Sequence, residues 1–379
     1  MSQCQLLQTQ NLTNMSNDKT FRAKSYIESI NPYKQGKSKA DTKEEIVKLS
    51  SNENALKTSK KAIDAYKKHS QELFRYADGS CAGLKAILNQ KYGIEPSKIV
   101  FGAGSDELIA LLIQAFVGEN DEVIYSEHGF LMYAISAQKF GAKTVVAKET
   151  NLTTNVDNIL AAITTKTKMI FIANPNNPTG SHINKAQILK LIENTPKNVL
   201  IILDLAYAEF VDLDENKYPD VINLVNKYDN VVMLRTFSKI YGLASLRLGW
   251  SYSCEYIAEV LNKVRGPFNV SGSAMAAGEA ALLDDAFIKK SVRHNKKWLK
   301  IIKKELGQIN IKTHPSTANF ILIDFGNEQK CQEINQYLLK KGIILREMHA
   351  YKLPTCLRMT VGTEKENLKV IELLKQFQN

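Results

Sequence analysis

Short apolar runs that end in polar turns recur along the first three quarters of the chain. Runs of β-branched and other apolar residues lie near positions 99, 122, 170, 200 and 231, with helical stretches between them. A continuous apolar run bounded by turn residues is typical of a buried strand. Because strands that alternate with helices assemble into parallel sheets, the pattern predicts an α/β domain with a mostly parallel sheet.

The pattern changes beyond about Asp285. A long charged helix is predicted there, and three apolar segments follow it at 318–323, 342–346 and 356–362. These segments predict strands of a smaller α+β domain. The predicted organisation is a disordered extension at 1–20, an arm packing with the small domain at 21–45, a large domain at 46–284 and a small C-terminal domain at 285–379.

Composition limits the class of protein. The chain has 379 residues, of which 44% are hydrophobic and 23% are charged, so it can form a large core. No apolar run approaches the roughly 20 residues of a membrane helix, and the N-terminus lacks a secretion signal, so no membrane partner is expected. Five scattered cysteines without a CxxC pair predict free thiols in a reducing cytoplasm and no metal site.

The charge distribution adds one expectation about partners. The formal net charge is +11, but the lysines and arginines are spread along amphipathic helices, as in 289–304. A nucleic-acid-binding protein more often gathers its basic residues into one arm or patch. The sequence therefore predicts no nucleic-acid partner, although the positive potential favours anionic small molecules.

The segment 231–250 carries the strongest chemical signal. Its apolar strand ends at a polar turn that contains Thr236, Ser238 and Lys239, and Arg247 follows eight residues after the lysine. Ligands bind at the carboxyl ends of strands in open α/β sheets. A partly desolvated lysine loses basicity and attacks aldehydes, while an arginine fork binds anions. This combination suits pyridoxal phosphate, which is an aldehyde with a phosphate group.

Other predicted strand ends carry matching groups. Ser105 and Asp106 follow a glycine turn at the start of a helix, where backbone amides bind phosphate. Asn177 lies in a turn made rigid by two prolines and a glycine. Asp204 ends a further strand, and its carboxylate can keep a pyridine nitrogen protonated while the hydroxyl of Tyr207 reaches the phenolic oxygen of the ring.

For several candidate site residues the sequence allows two interpretations. Tyr33 and Asn54 are either pocket residues or surface turn residues, and Tyr76 is either a packed turn residue or a ligand contact. The aromatic residues after the second predicted strand either stack on a flat ring or pack in the core. Arg346 and Arg358 form either surface salt bridges or a clamp for a carboxylate or phosphate.

Four features together resemble the fold-type I pyridoxal phosphate-dependent aminotransferases: NPNNPTG, DLAY, TFSK and the arginine eight residues past the lysine. Six other segments are similar to the histidinol-phosphate aminotransferase subgroup of that family: PYKQGK, KLSSNEN, RYADG, GAGSDELI, GIILRE and CLRMTVGTEKEN. The similarity spans about residues 30–370. It implies a fold-type I architecture, a homodimer with shared active sites, and histidinol-phosphate:2-oxoglutarate transamination in histidine biosynthesis.

The resemblance also implies a role for each candidate residue. Lys239 would form a Schiff base with pyridoxal phosphate and move the proton during catalysis. Asp204 would contact the pyridine nitrogen of the cofactor. The other cofactor contacts would come from Gly104, Ser105, Asp106, Phe130, Asn177, Tyr207, Thr236, Ser238, Arg247 and Tyr76, the last from a neighbouring subunit. Arg358 would bind the carboxylate of glutamate, and the pocket would be shaped by Tyr33, Asn54 and Arg346.

The chain departs from the subgroup in two informative places. Leu205 replaces an acid in DLAY, away from the expected cofactor contacts. The loop HAYKLP replaces a glycine-rich loop between the two arginines, and its His349 and Lys352 are bulkier. The alternatives are an aromatic amino-acid or prephenate aminotransferase and a threonine-phosphate decarboxylase. A cofactor-binding regulator is a third, but the roughly 20-residue tail is too short for a helix-turn-helix module.

Overall fold

Thirteen strands in three sheets carry the fold of the residues that the computed structural model describes, 21–211 and 218–378. The extension predicted to be disordered, 1–20, lies outside these residues. In chain order the strands are β1 (Val47–Lys48), β2 (Ile99–Gly102), β3 (Glu122–Ser126), β4 (Lys143–Ala147), β5 (Thr167–Ala173), β6 (Leu200–Asp204), β7 (Val231–Thr236), β8 (Gly249–Tyr252), β9 (Lys312–Thr313), β10 (Phe320–Asp324), β11 (Ile343–Ile344), β12 (Arg346–Glu347) and β13 (Cys356–Thr360).

Thirteen α-helices accompany the strands in the described ranges. Several begin at a side-chain cap, as where Ser59 and Ser271 each accept a backbone N–H of the first turn. None of these helices combines the length and the apolar character that a membrane crossing requires. They are α1 (Ser25–Glu28), α2 (Lys60–His69), α3 (Ala82–Tyr92), α4 (Ser105–Phe116), α5 (Leu131–Lys139), α6 (Val156–Ala161), α7 (Lys185–Asn194), α8 (Val221–Lys227), α9 (Glu255–Val264), α10 (Gly272–Leu282), α11 (Asp285–Gln308), α12 (Glu328–Lys340) and α13 (Glu364–Gln378).

The seven-stranded central sheet confirms the predicted mostly parallel arrangement. Its order is β2-β8-β7-β6-β5-β3-β4, and within it only β8 runs antiparallel to its neighbours. In β5, β6 and β7, Ala173 lies opposite Asp204, and Asp204 lies opposite Leu234. The carboxyl ends of these three strands are therefore side by side, and the loops that follow them share one edge of the sheet.

The sequence pattern does not predict two strands of this sheet, β4 and β8. The edge strand β4 is only partly buried, and only its last three residues are apolar. The strand β8 has four residues and begins at Gly249, a residue type that is depleted in strands. Its antiparallel direction places Gly249 opposite Thr236, beside the loop that precedes α4.

Both faces of the central sheet are buried. Along β6, Ile201 and Leu203 pack into one hydrophobic cluster, and Ile202 packs into another on the opposite face. The residues of β7 alternate in the same way. A strand that is covered on both faces has no polar side, which explains why these segments appear in the sequence as continuous apolar runs.

A four-stranded sheet, β12-β13-β10-β9, and the parallel pair of β1 with β11 form the other part of the structure. In that pair Val47 lies opposite Ile343. Val47 and Leu49 share a hydrophobic cluster with Trp298 and Leu338, so the segment after the predicted arm packs with C-terminal elements. The division of the chain into arm, large domain and small domain stays a prediction.

Replacing Gly249 with alanine is expected to destabilise the protein. A Cβ at this position would lie 2.5 Å from the backbone nitrogen of Ser105 and 2.6 Å from the carbonyl carbon of Gly104. Because these are backbone atoms, the loop before α4 has to move, and overpacking of this kind costs about 1–3 kcal/mol. Urea denaturation measures the loss in free energy of unfolding relative to the wild type.

Gly307→Ala is the matched control. Gly307 lies in α11, and outside the adjacent backbone of that helix no described atom lies within 4 Å of a Cβ built there. Alanine favours a helix over glycine by about 0.5–1 kcal/mol, so this variant is expected to be at least as stable as the wild type. A Gly249→Ala protein with wild-type stability would contradict the close approach of β8 to the loop.

Candidate active site

A cleft of about 540 Å³ opens at the carboxyl ends of β5, β6 and β7. The central sheet forms one wall, and the arm together with β12 and β13 forms the other. Thirteen of the predicted site residues line this cleft: Tyr33, Ser105, Asp106, Phe130, Asn177, Asp204, Tyr207, Thr236, Ser238, Lys239, Arg247, Arg346 and Arg358.

Lys239 lies three residues past the end of β7. The loop is held where the Phe237 amide donates to the Leu248 carbonyl over 2.9 Å. The lysine amine lies 3.5 Å from the backbone carbonyl oxygen of Ser51. Burial, and then the positive charge of Arg358, lower the pKa of this amine to about 8. Such an amine is partly unprotonated near neutral pH and can attack an aldehyde.

Asp204 is the last residue of β6, and only 5% of its surface is exposed. The Tyr133 hydroxyl donates to its Oδ2 over 2.8 Å, and the Ala206 amide donates to its Oδ1 over 3.2 Å. Burial raises the pKa of Asp204 to about 6, against the effect of these hydrogen bonds. Because a buried carboxylate is stabilised by a nearby cation, this position suits a protonated ring nitrogen.

The start of α4 forms a pocket for an anion. The helix begins at Ser105, directly after Gly104, and its first backbone amides have no partner within the helix. Facing it, the Arg247 guanidinium lies 3.3 Å from the Ser238 hydroxyl and 3.1 Å from the Asp106 carboxylate. Free amides, a hydroxyl and a guanidinium in one place suit a phosphate group.

Two hydrogen-bond donors follow the adjacent strands β5 and β6. The Oδ1 of Asn177 accepts a hydrogen bond from Arg358, which leaves the amide nitrogen of Asn177 to donate elsewhere. The hydroxyl oxygen of Tyr207 accepts a hydrogen bond from the Asn52 amide over 2.9 Å. Burial raises the pKa of Tyr207 to about 12, so its hydroxyl keeps its proton at neutral pH. Both side chains can therefore donate to one oxygen in the cleft.

Arg346 and Arg358 lie opposite each other on β12 and β13. Arg358 is buried and donates to the Ser50 carbonyl over 2.9 Å, while its Nε has no partner among the described residues. Arg346 donates to the Lys34 carbonyl over 2.7 Å and lies over the ring of Tyr33. No described carboxylate pairs with this buried guanidinium, so its positive charge suits a substrate carboxylate.

Asn54, a candidate pocket residue, does not line the cleft. Its side-chain amide donates to the Ile240 carbonyl over 2.8 Å and to the Ser291 hydroxyl over 3.3 Å, so it supports the loop that carries Lys239. The backbone turns at Asn52, which has a φ of 56°. Because of this turn, Asn52 lines the cleft and Asn54 does not.

Gly104 and Tyr76 also lie outside the cleft lining. The Arg247 guanidinium occupies the place of a Cβ at Gly104, so a glycine is needed for the arginine to reach the anion pocket. Tyr76 is 85% exposed and stacks on the ring of Phe268 at 4.7 Å. Its implied role is in the site of a neighbouring subunit, and its exposure leaves it free to reach one.

Two residues of this site, Asn52 and Tyr133, are not predicted from the sequence. Asn52 belongs to the same polar loop as Asn54. The sequence indicates that this loop reaches the site, but not which of the two asparagines lines the cleft. Tyr133 lies on α5, stacks on Phe171 at 4.5 Å and donates to a residue 71 positions away. No local pattern around Tyr133 indicates that contact.

The bulky residues of the HAYKLP loop lie away from the cleft. His349 and Lys352 are exposed, and the His349 ring lies 3.2 Å from the Glu328 carboxylate. Tyr351 between them is buried, and its carbonyl oxygen lies 2.8 Å from the Nδ1 of His128. This departure from the subgroup pattern therefore does not change the cleft lining directly.

Three potential metal ligands of the described residues lie within 4.8 Å of one another: His314, Asp324 and Cys356. The Lys312 ammonium lies 3.7 Å from the Asp324 carboxylate and already balances its charge. The group belongs to the small sheet and is not part of the cleft lining. The expectation of a protein without a metal site stays a prediction.

The sequence matches a family model, aminotransferase class I and II, over residues 44–374. The chain belongs to this family. The match covers most of the chain and includes the strands of the central sheet and β12 and β13, but not the arm residues that line the cleft. The predicted family and its aminotransferase chemistry are confirmed.

Curated relatives resemble the chain over nearly its whole length. A histidinol-phosphate aminotransferase of Paramagnetospirillum magneticum is 46% identical over 353 residues, which are 93% of this chain and 97% of the relative. That of Dinoroseobacter shibae is 45% identical over 352 residues, 93% of this chain and 96% of the relative. The predicted resemblance to histidinol-phosphate aminotransferases is confirmed.

Solved structures share the fold. A histidinol-phosphate aminotransferase from Sinorhizobium meliloti in complex with pyridoxal-5'-phosphate superposes with a TM-score of 0.87 at 24% identity, covering 96% of this chain and all of that one. An aspartate aminotransferase of Thermus thermophilus gives a TM-score of 0.80 at 16% identity, covering 94% of this chain and 100% of that chain. At these identities the likeness concerns the fold, and it confirms the predicted fold class.

Replacing Arg358 with glutamine is expected to raise the pKa of the Lys239 amine. The arginine charge opposes protonation of the lysine, and removing it favours the protonated form. An acylating reagent modifies only the unprotonated amine, so the acylation rate of Lys239 across pH gives the midpoint by peptide mass spectrometry. We expect a midpoint of about 8 for the cofactor-free wild type. For Arg358→Gln we expect the midpoint to be higher by about 1 pH unit.

Arg346→Gln is the matched control for this titration. Arg346 lies in the same cleft but is not among the charges with the largest effects on the pKa of Lys239. Its removal should leave the midpoint at the wild-type value. A midpoint that does not rise in Arg358→Gln would show that the arginine charge does not reach the lysine.

Proposed function

We propose that this aminotransferase binds pyridoxal phosphate in the cleft and transfers an amino group between histidinol phosphate and 2-oxoglutarate, as a step of histidine biosynthesis. The observation that carries this proposal is the similarity to relatives named histidinol-phosphate aminotransferase. They are 42–46% identical, and the matched residues are 92–93% of this chain. The cleft adds support, because it has separate groups for a cofactor phosphate and for substrate anions.

The donor set of the cleft fits pyridoxal phosphate. Lys239 offers an amine of low basicity for the aldehyde, and buried Asp204 offers a carboxylate for the ring nitrogen. Arg247 and the amides at the start of α4 offer partners for the phosphate. When bound, the cofactor supplies an electron sink that weakens the Cα–H bond of an attached amino acid.

Asn177, Tyr207 and Phe130 orient the cofactor ring in this proposal. Asn177 and Tyr207 would donate hydrogen bonds to the ring oxygen, and Phe130, which lines the cleft just before α5, would pack on the ring face. Three contacts on a flat ring fix both its position and its tilt. Such fixed geometry keeps the reacting carbon within reach of the lysine amine.

Lys239 acts as the general acid and base in this proposal. Its Nζ would accept the proton from the substrate Cα and then donate it to the cofactor. A pKa of about 8 suits both tasks near neutral pH, because proton transfer is most effective when the pKa is close to the working pH.

In this proposal two arginines interact with different anionic groups of the substrates. Arg358, buried and without an acidic partner among the described residues, binds the carboxylate of glutamate. Arg346 and Tyr33 lie nearer to the solvent and shape the part of the pocket that takes the phosphorylated amino alcohol. The two substrates of the half-reactions can thereby use one cleft in turn.

We also propose that the enzyme is a cytoplasmic homodimer with shared active sites. Leu73, Phe74, Tyr76 and Phe268 are large apolar or aromatic side chains with 49–85% of their surface exposed, as is typical of a protein interface. The four described cysteines are free, which agrees with a reducing compartment.

A substrate panel tests the proposed reaction. We expect kcat/KM with histidinol phosphate to exceed that with tyrosine or phenylalanine by about 10- to 100-fold, since a phosphate bound by charge-assisted hydrogen bonds contributes roughly 1.5–3 kcal/mol. Threonine phosphate should not be decarboxylated. The absorbance of the cofactor, which changes as its amine form appears, follows each half-reaction. Faster turnover of an aromatic amino acid would favour the aromatic alternative.

Lys239→Ala is the control for the chemistry in this panel. The variant should still bind the cofactor without a covalent bond, but turnover should fall by more than about 1,000-fold because both the amine nucleophile and the proton carrier are lost. Borohydride treatment should attach the cofactor to the wild type and not to the variant. Near-normal turnover without this lysine would exclude the proposed mechanism.

A mixing experiment tests the shared site. Tyr76→Ala alone should lose about tenfold or more in activity if it removes a phosphate contact. Coexpression with Lys239→Ala should then restore activity to about a quarter of the wild-type value, because half of the dimers are mixed and each has one intact site. No restoration would mean that Tyr76 acts within its own subunit or not at all.

A further inference from the structure

Asn52 connects the two walls of the cleft. It lies in the loop after β1, and only 1% of its surface is exposed. Its backbone amide donates to the hydroxyl of Thr360 in β13 over 2.9 Å, and its side-chain amide donates to the hydroxyl of Tyr207 over 2.9 Å. Its φ of 56° is in the left-handed region, which asparagine adopts more readily than most residues. The residue is therefore held at both ends in one conformation.

The hydrogen bonds with Thr360 decide which way the Asn52 amide points. A backbone N–H can only donate, so the Thr360 oxygen accepts from the backbone of Asn52. Thr360 is buried, and its own proton goes to the Oδ1 of Asn52 over 3.2 Å. Since Oδ1 is the acceptor for Thr360, Nδ2 is the atom that faces Tyr207.

The same reasoning decides where the proton of Tyr207 lies. An amide nitrogen is not an acceptor, so the Tyr207 oxygen accepts from Asn52 and its proton cannot point back at Asn52. Tyr207 lines the cleft, and its proton is left to donate there. We propose that Asn52 is a positioning residue that turns the hydroxyl proton of Tyr207 toward the ring oxygen of the bound cofactor. This inference rests on the proposed placement of the cofactor ring beside Tyr207.

The orientation has a measurable consequence. A donor at the ring oxygen stabilises its deprotonated form, and it therefore lowers the pH at which the enzyme-bound cofactor loses a proton. If the residue at position 52 presented an acceptor, Tyr207 would donate to that residue, and the ring oxygen would lose this donor. The pH titration of the cofactor absorbance reports the change without any substrate.

Asn52→Asp tests the proposal in the holoenzyme. Aspartate has nearly the same shape and also tolerates a positive φ, but its carboxylate only accepts. We expect the midpoint of the absorbance titration to rise by at least about 1 pH unit. The new negative charge also raises the midpoint, and the same substitution in a Tyr207→Phe background measures that charge effect alone. A larger shift when Tyr207 is present supports the proposal, and equal shifts in the two backgrounds overturn it.

Asn52→Gly gives a second test that adds no charge. Glycine accepts the positive φ without strain, and its lack of a side chain removes the donor to Tyr207. The midpoint is expected to rise less than in Asn52→Asp, and it should not rise in the Tyr207→Phe background. If Tyr207→Phe alone leaves the midpoint unchanged, the proposed placement of the ring is overturned together with this inference. If Tyr207→Phe shifts the midpoint but both Asn52 variants shift it equally in the two backgrounds, only the role of Asn52 is overturned.

Discussion

The cleft depends on two buried charges of opposite sign that are kept apart. The Lys239 amine contacts a backbone carbonyl and the Asp204 carboxylate contacts a phenol, and the two form no salt bridge with each other in the described chain. Burial disfavours the charged form of each group, which is why the pKa is about 8 for the lysine and about 6 for the aspartate. A ligand that brings an electrophilic carbon to the amine and a protonated nitrogen to the carboxylate relieves both penalties.

The two sheets place these charges in one cleft. The strands β6 and β7 are adjacent and parallel, and their carboxyl ends deliver the aspartate and the lysine to the same edge. The second sheet then closes the cleft from the other side, where Arg358 donates to the Ser50 carbonyl and Asn52 bridges Thr360 and Tyr207. Since these bonds are buried, a change in the relative position of the sheets would leave polar groups without partners.

Much of the cleft can be predicted because its chemistry is encoded locally. Lys239, Asp204 and Asn177 each lie at or shortly after the end of an apolar strand, and the parallel sheet brings the ends of those strands together. The strands themselves are recognisable because both faces of the central sheet are covered, so their residues are apolar without interruption. Where that condition fails, as in the partly exposed edge strand β4, the prediction fails too.

Residues that position other side chains have no comparable local sequence pattern. Tyr133 lies on a helix face, and its task depends on a carboxylate 71 positions away that only the folded chain brings near. Asn52 and Asn54 have the same chemistry in the same loop. What separates them is the positive φ at Asn52 and its hydrogen bond to Thr360, 308 positions further on. A motif records the groups that act on a ligand, whereas the orientation of those groups is decided by contacts that are distant in sequence. The proton of Tyr207 is such a case: its presence follows from residue type, and its direction follows from the fold.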